Sequence, residues 1–406
     1  MTSPHLRWRI AALLSLSTVI NYIDRQTLSV LGPHLEAEYN WTHSDFALIV
    51  IAFRVAYTVG QFVSGRLIDR IGAGRGLTIS VAFYSIVAMA TSLATGFRGF
   101  IGFRFLLGIG ESANWPAATK AVSEWFPSRE RALAVAIFDS GSSIGAAIAP
   151  ALVLGIYNYA GGWRAAFLFT GALGFAWLIL WRMTYREPER VADETPPDKI
   201  AARELLLFPQ TWGVIASRAL TDPVWFLIAD WFAIYLVSRG FRIEDSALAF
   251  WAPFLAADLG NFAGGAASSW LIRREWPVGR ARKAIVIPGA LGILLLIPAT
   301  TAPSLFAITA LFAGATFSYA AFSTIANTLP ADCFTPGAVA SVSGMSGAFA
   351  GAGTILATYV VGLVADTIGF RAALMGASFI PLLGAALLLA LIRNNQHTGR
   401  GVVRSV

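Results

Sequence analysis

The sequence predicts an all-α integral membrane protein, about twelve transmembrane helices in two sets of six, and three observations carry that reading. Of 406 residues, 56% are hydrophobic and only 13% charged, whereas a typical soluble chain is about 25% charged. Apolar stretches of about 20 residues, long enough to cross a hydrocarbon core, recur from end to end. A short polar or glycine-rich break closes each of them. The stretches are continuous rather than alternating, which argues against a β-barrel, and most lack the polar face of a soluble core helix.

In chain order the first set of spans falls near 8–32, 45–70, 76–96, 98–124, 131–159 and 163–185. A polar stretch with Pro188, Pro196 and Pro197 among alternating charges follows. The second set falls near 210–237, 244–272, 282–300, 303–330, 338–366 and 370–393. Residues 1–185 and 209–406 would then be two six-helix bundles joined by a cytoplasmic linker, 186–208. Arginines crowd the breaks on one side of the membrane (Arg66, Arg70, Arg75, Arg129, Arg131, Arg273, Arg274, Arg280 and Arg282), with few on the other. That bias places both termini in the cytoplasm and accounts for the net charge of +7 without a nucleic-acid partner. Arg7 and Arg9 precede the first span with no small-residue cleavage site, so that span is expected to be retained. Cys333 is the sole cysteine, so neither a disulfide framework nor a cysteine metal site is expected.

The first span carries Asn21-Tyr22-Ile23-Asp24-Arg25 in its middle. A mid-membrane charge costs about 2.5–3.5 kcal/mol on insertion scales, so such residues face a bundle interior or a wet cavity. Tyr22, Arg25 and Ser29 share one helix face, and Asp24 is turned about 100° from Arg25. Arg25 can therefore meet a ligand while Asp24 looks toward a neighbouring helix. The break after span two reads Gly65-Arg66-Leu67-Ile68-Asp69-Arg70-Ile71-Gly72-Ala73-Gly74-Arg75, and the matching break in the second half carries Arg273-Arg274 and Gly279-Arg280. A duplicated six-span unit with its site between the halves is a known transporter architecture.

These residues resemble the major facilitator superfamily. The stretch 65–75 matches its loop signature G-x-x-x-D-R-x-G-x-x-R, and Arg104-Phe-Leu-Leu-Gly108-Ile-Gly110 matches its fourth-span R-x-x-x-G-x-G. Asn21 to Arg25 is similar to the first span of the anion:cation symporters. Gly108-Ile-Gly-Glu111-Ser-Ala-Asn-Trp115-Pro116, Glu124-Trp-Phe-Pro127, Asp222-Pro-Val-Trp225 and Asp258-Leu-Gly-Asn261 look most like the bacterial hexuronate branch. The resemblance implies uptake of a sugar acid such as glucuronate or galacturonate, coupled to protons, by alternating access in a bacterial inner membrane. It implies no prosthetic group, and nothing in the chain demands an oligomer, so a working monomer is expected. Asp69, Arg70 and Arg75 would form a cytoplasmic gate.

Counting depth from the span ends pairs Asp24 with Arg104 and leaves Glu111 about two turns deeper, with Arg25 as its one neighbouring base. A pair neutralises two buried charges far more cheaply than leaving either alone. Asp24 and Glu111 are the expected proton carriers, tuned by Arg104, although the same carboxylates could serve sodium. Arg25 is the expected carboxylate ligand, because a guanidinium offers a planar fork that keeps its charge. Tyr22, Tyr57, Arg54, Gln61, Trp115 and Ser142 are expected in the same wall. Trp225, Trp231, Ser323, Thr324 and Asn327 are candidate sugar-ring contacts from the second half, though membrane aromatics usually just pack. Asp139 stands where the resemblance implies an amide. Asp222, Asp230 and Asp258 are second-ion candidates or helix caps, with Asp222 before Pro223 suiting a cap.

Other patterns are refused. Gly141-Ser-Ser143-Ile-Gly145 mimics a hydrolase elbow and Gly108-Ile-Gly110-Glu-Ser-Ala113 a dinucleotide fingerprint, but both lie in apolar helix with no preceding strand. Small residues there suit close helix packing. The four scattered histidines make no metal site, and no phosphate loop supports ATP-driven transport. Binding and gating remain, not catalysis. The competing readings are an antiporting exporter of drugs or organic anions and a non-transporting sugar-acid sensor. The absence of Gly-Pro and Gly-Gly pairs around Pro150 weighs against the first.

Overall fold

The computed structural model describes residues 4–187, 201–241 and 247–392, and these are helical with no strand among them. The linker stretch 188–200 lies outside the described residues. Seven helices come first: α1 (Pro4–Tyr39), α2 (His43–Ile71), α3 (Ala73–Ala90), α4 (Phe97–Glu111), α5 (Asn114–Trp125), α6 (Ser128–Ala160) and α7 (Trp163–Thr184). After the short α8 (Ala202–Leu205) come α9 (Pro209–Ser238), α10 (Ala247–Arg273), α11 (Val278–Ile293) and α12 (Leu296–Ala299). The chain closes with α13 (Leu305–Cys333), α14 (Val339–Thr367) and α15 (Phe370–Leu391). With α4–α5 and α11–α12 each counted as one broken span, the described helices make the twelve expected crossings. Eight segments are individually long and apolar enough to span a membrane. The other four spans carry internal charges: Asp24 and Arg25 in α1, Arg104 and Glu111 in the α4–α5 span, Arg218 and Asp222 in α9, and Asp258 in α10.

Local chemistry sets the boundaries. Thr42 and Asp45 form a capping box that starts α2, each side chain accepting from the other's backbone N–H. Gly72 turns the chain from α2 into α3 at φ 90°, a left-handed conformation that costs a glycine nothing. Large apolar residues such as Val59, Val63, Ile79 and Leu255 are exposed on these helices, as expected where hydrocarbon rather than water is the solvent.

The chain divides into two compact units. The first comprises 1–125, 137–199 and 336–348, and the second 126–136, 200–335 and 349–406. In the first unit, Trp177, Trp181 and Tyr185 stack face to face with centroids 4.9 and 4.4 Å apart. The two indoles donate to the carbonyls of Leu13 (2.8 Å) and Gly74 (3.3 Å). In the second unit Pro223 lies inside α9, and its missing N–H leaves the Ala219 carbonyl without its helical donor. The backbone of Gly353 packs directly on that carbonyl, an approach a side chain would block.

Span four departs from the continuous helix expected over 98–124. It breaks at Ser112–Ala113, immediately after Glu111. Pro116 has no N–H to give the Ser112 carbonyl, and Ser64 of α2 donates to that oxygen instead, at 3.1 Å. Ser80 of α3 donates to the Gly110 carbonyl at 2.7 Å. Irregular backbone at membrane depth survives because side chains of neighbouring helices supply the missing bonds.

Candidate substrate and ion site

Small residues bring the helices of the first unit close enough to build the site. A Cβ on Gly108 would lie 2.5 Å from the Phe53 carbonyl oxygen, so α4 and α2 touch backbone to backbone. Gly141 and Gly145 of α6 press on α1 in the same way: a Cβ on Gly145 would lie 2.9 Å from the Tyr22 Cβ. The Gly141 pattern is thus a packing stripe, as the sequence suggested. Asn114 at the start of α5 accepts from Ser17 (3.1 Å) and donates to Thr18 (3.3 Å), which fixes the height of α1 against the break.

Arg25 sits in a cage. Its guanidinium carbon lies 4.4 Å from the Tyr57 ring centroid, 4.8 Å from Tyr22 and 5.1 Å from Phe53. Such contacts are worth about 0.5–2 kcal/mol each, more as water is excluded. The guanidinium Nε donates to Glu111 Oε2 at 2.6 Å, a charge-assisted bond between a fully buried acid and an arginine side chain still 19% exposed. Arg25 therefore joins a buried acid to an accessible surface. Its Nη2 has no hydrogen-bond partner in the protein.

The expected Asp24–Arg104 contact does not form. Asp24 is buried, turned toward Thr170 of α7 and in no ion pair among the described residues, and Nε and Nη2 of Arg104 are buried without a hydrogen bond. The cause is azimuthal: Asp24 shares its helix face with Thr27, which reaches Thr170 of α7 at 3.5 Å, whereas Arg104 belongs to α4. Glu111, the last residue of α4, reaches α1 and takes Arg25. Asp24, Arg25, Arg104 and Glu111 still act on one another electrostatically, two acids against two bases.

The remaining candidates of this unit sort clearly. Arg54 is half-buried, one turn before Tyr57, which stacks on Phe53 at 5.7 Å. Gln61 is buried against Gly344 and Gly347 rather than in the cage. Trp115 packs edge-on to Phe138 at 5.8 Å, and Ser142 donates to the Asp139 carbonyl of its own helix at 2.7 Å. Asp69 accepts from Lys120 Nζ (3.1 Å) and from the backbone N–H groups of Ala340 (3.1 Å) and Ser341 (2.7 Å). Lys120 also donates to the Pro336 carbonyl. Arg70 and Arg75 are exposed and make no ion pair among the described residues, so Lys120 takes the place expected of them.

A sequence profile of the Major Facilitator Superfamily matches residues 14–315. The chain belongs to the major facilitator superfamily. It is 34% identical to the hexuronate transporter of Escherichia coli strain K12, over 96% of this chain and 94% of that protein. It is 31% identical to the galacturonate transporter of Dickeya chrysanthemi, over 73% of this chain and 90% of that one. Among solved structures, the fold matches the proton:xylose symporter XylE with a TM-score of 0.78 at 13% identity, covering 97% of each chain. The human organic anion transporter MFSD10 matches with a TM-score of 0.75 at 16% identity, over 95% of this chain and all of that one. As a major facilitator protein, the chain is a multi-pass membrane transporter and not an enzyme.

The second unit of this major facilitator chain holds its own polar groups. Trp225 stacks parallel to Tyr319 (6.2 Å) and edge-on to Phe254 (5.6 Å). Thr324 donates to Asn261 at 2.7 Å, and the Asn327 amide reaches Ser323 at 3.5 Å. Asp222 does not cap a helix: α9 runs through it, and Arg218 one turn earlier pairs with it at 2.9 Å. Asp258 is half-buried on α10. The side chains of Asp230 and Trp231 lie outside the described ones.

Sequence reasoning missed three groups. Phe53 completes the cage, and Lys120 completes the Asp69 contact. Asp332 binds both Arg131 (3.1 Å) and Arg282 (2.8 Å), two arginines expected in exposed loops but in fact buried. A lone Lys within Ala117-Ala-Thr-Lys120-Ala-Val and a lone Asp after Pro330 were the signals available.

Proposed function

We propose that this protein is a proton-coupled symporter that takes up a sugar acid such as glucuronate or galacturonate across a bacterial inner membrane. Both termini would face the cytoplasm, and a monomer would suffice with no prosthetic group. The observation that carries the reading is Arg25, a caged and partly exposed cation bonded at 2.6 Å to a fully buried acid. The similarity to a hexuronate and a galacturonate transporter supports the choice of substrate.

The mechanism follows from competition. Glu111 and a substrate carboxylate want the same guanidinium. A proton on Glu111 removes its claim and leaves the fork free for the substrate, whose ring lies against Tyr22, Tyr57 and Phe53. Loss of that proton restores the Glu111–Arg25 bond and expels the anion. Asp24, buried and in no ion pair among the described residues, is the second proton carrier, held in the same charge set as Arg104.

The test is uptake of labelled glucuronate and galacturonate into proteoliposomes, with and without an inward proton gradient. Accumulation is expected only with the gradient, and Glu111→Gln should reduce it at least tenfold. Accumulation by Glu111→Gln equal to that of the native protein would remove the proton role of this acid. Equilibration independent of the gradient would remove proton coupling altogether.

A further inference from the structure

Glu111 stands at the break in span four, and hydroxyl groups hold the backbone around it. In an unbroken helix the carbonyls of Ile109, Gly110 and Ser112 would accept from residues 113, 114 and 116. Here serine hydroxyls donate to all of them: Ser112 to Ile109 at 2.7 Å, Ser80 of α3 to Gly110 at 2.7 Å, and Ser64 of α2 to Ser112 at 3.1 Å. Ser64 shares its proton with the Gln61 carbonyl of its own helix, at 3.3 Å. The carbonyls that Ser80 and Ser64 hold belong to the residues on either side of Glu111. Both serines are buried, and their helices press on the same two residues. A Cβ on Gly110 would lie 2.9 Å from the Tyr84 Cβ of α3, and one on Gly60 of α2 would lie 2.9 Å from the Ser112 Cβ.

Phe53, Tyr57, Gly60 and Ser64 follow one another at steps of four or three residues and so share one face of α2. That face supplies the Phe53 and Tyr57 rings of the Arg25 cage and also grips the backbone beside Glu111. The Glu111 carboxylate takes Arg25 Nε at 2.6 Å, and the Asn21 side chain is turned toward the same carboxylate. So short a charge-assisted bond weakens steeply when its geometry is lost.

We infer that Ser64 and Ser80 are positioning residues for Glu111: by holding the peptide carbonyls on either side of it, they aim its carboxylate at Arg25. This rests on the competition between Glu111 and a substrate carboxylate proposed above. Without the two hydroxyls, buried carbonyls at the break must find other donors, and the last turn of α4 has to shift to reach them. Glu111 then loses its aim, and Arg25 stays open to the substrate whether or not Glu111 carries a proton. The titratable groups bearing on Glu111 are Tyr22, Asp24 and Arg25 from α1, Tyr84 from α3 and Arg104 from α4 itself. From α2, Tyr57 acts through Arg25.

The test is the affinity of the purified protein for labelled glucuronate across a pH series, with the unfolding temperature measured beside it. Native affinity should fall at least tenfold from acid to neutral pH, as Glu111 loses its proton and takes Arg25. In Ser80→Ala, and more fully in the Ser64→Ala plus Ser80→Ala double variant, that fall should shrink to less than about threefold, through tighter binding at neutral pH. Ser80→Thr, which keeps a hydroxyl, should restore it. In a Glu111→Gln background, with no charge left to aim, the serine substitutions should change affinity no further. A structural role alone would lower the unfolding temperature and weaken binding equally at every pH. An undiminished pH dependence in the folded double variant, or in Ser80→Ala should the double variant fail to fold, would therefore overturn the positioning role and leave the competition standing. Loss of affinity in the Glu111→Gln background would overturn it too, because the serines would then act on the cage. A native protein whose affinity ignores pH, or that binds no glucuronate, would bring down the competition itself, and the positioning role with it.

Discussion

Two buried acids in this molecule meet opposite fates. Asp332, in the second unit, is saturated: one oxygen binds Arg131 at 3.1 Å and the other Arg282 at 2.8 Å. Those arginines go on to Ser268 Oγ (2.7 Å), the Ser128 carbonyl (2.9 Å) and the Phe126 carbonyl (3.1 Å). Asp24, in the first unit, is just as buried and makes no ion pair among the described residues, its carboxylate being turned toward Thr170. A network with every atom satisfied is rigid and specifies one arrangement, whereas unsatisfied groups remain available to a proton or a ligand. The contrast separates a lock from a working part more cleanly than charge or burial alone.

The strongest way to break the comparison is Asp332→Ala, which leaves two buried guanidinium groups without their acid. A loss of about 3–5 kcal/mol is expected, read as a large drop in unfolding temperature in detergent. A small drop would mean that the network contributes little to stability. Next comes Arg25→Lys, which keeps the charge and loses the planar fork. Uptake should fall about 100-fold, equivalent to about 2.7 kcal/mol, with little change in unfolding temperature. Uptake at the native level would show that point charge is enough. The smallest effect on stability belongs to Asp24→Asn. It removes a buried charge that makes no ion pair and leaves an amide that can still meet Thr170, so the unfolding temperature should hold or rise slightly while gradient-driven accumulation disappears. A loss of stability comparable to that of Asp332→Ala would erase the distinction.

The fold was legible because length and hydropathy are local properties. Twelve apolar stretches and the glycine-bearing break at 65–75 can be read without knowing what packs on what. The site was legible in its membership but not in its pairing. Helical spacing placed Asp24 and Arg25 on different faces, yet depth counting from approximate span ends gave Asp24 the wrong partner. Depth says nothing about which neighbour a face meets, and the Thr27–Thr170 contact shows that Asp24's face meets α7. Pro116 was in view as part of a motif, but its effect on the Ser112 carbonyl became apparent only once Ser64 supplied the missing bond. Lys120 and Asp332 went unread because a single charge near the end of a span looks like a loop residue until its partner is known.

The stacked column of Trp177, Trp181 and Tyr185 has a spectroscopic use. Two indoles 4.9 Å apart and 16° from parallel should couple their transitions and give a near-ultraviolet circular dichroism signal that separated tryptophans lack. Trp181 donates to the carbonyl of Gly74, the second residue of α3 just past the Gly72 turn. A shift of that turn would disturb the column, so the chain carries its own optical reporter of its α2–α3 turn and needs no added label.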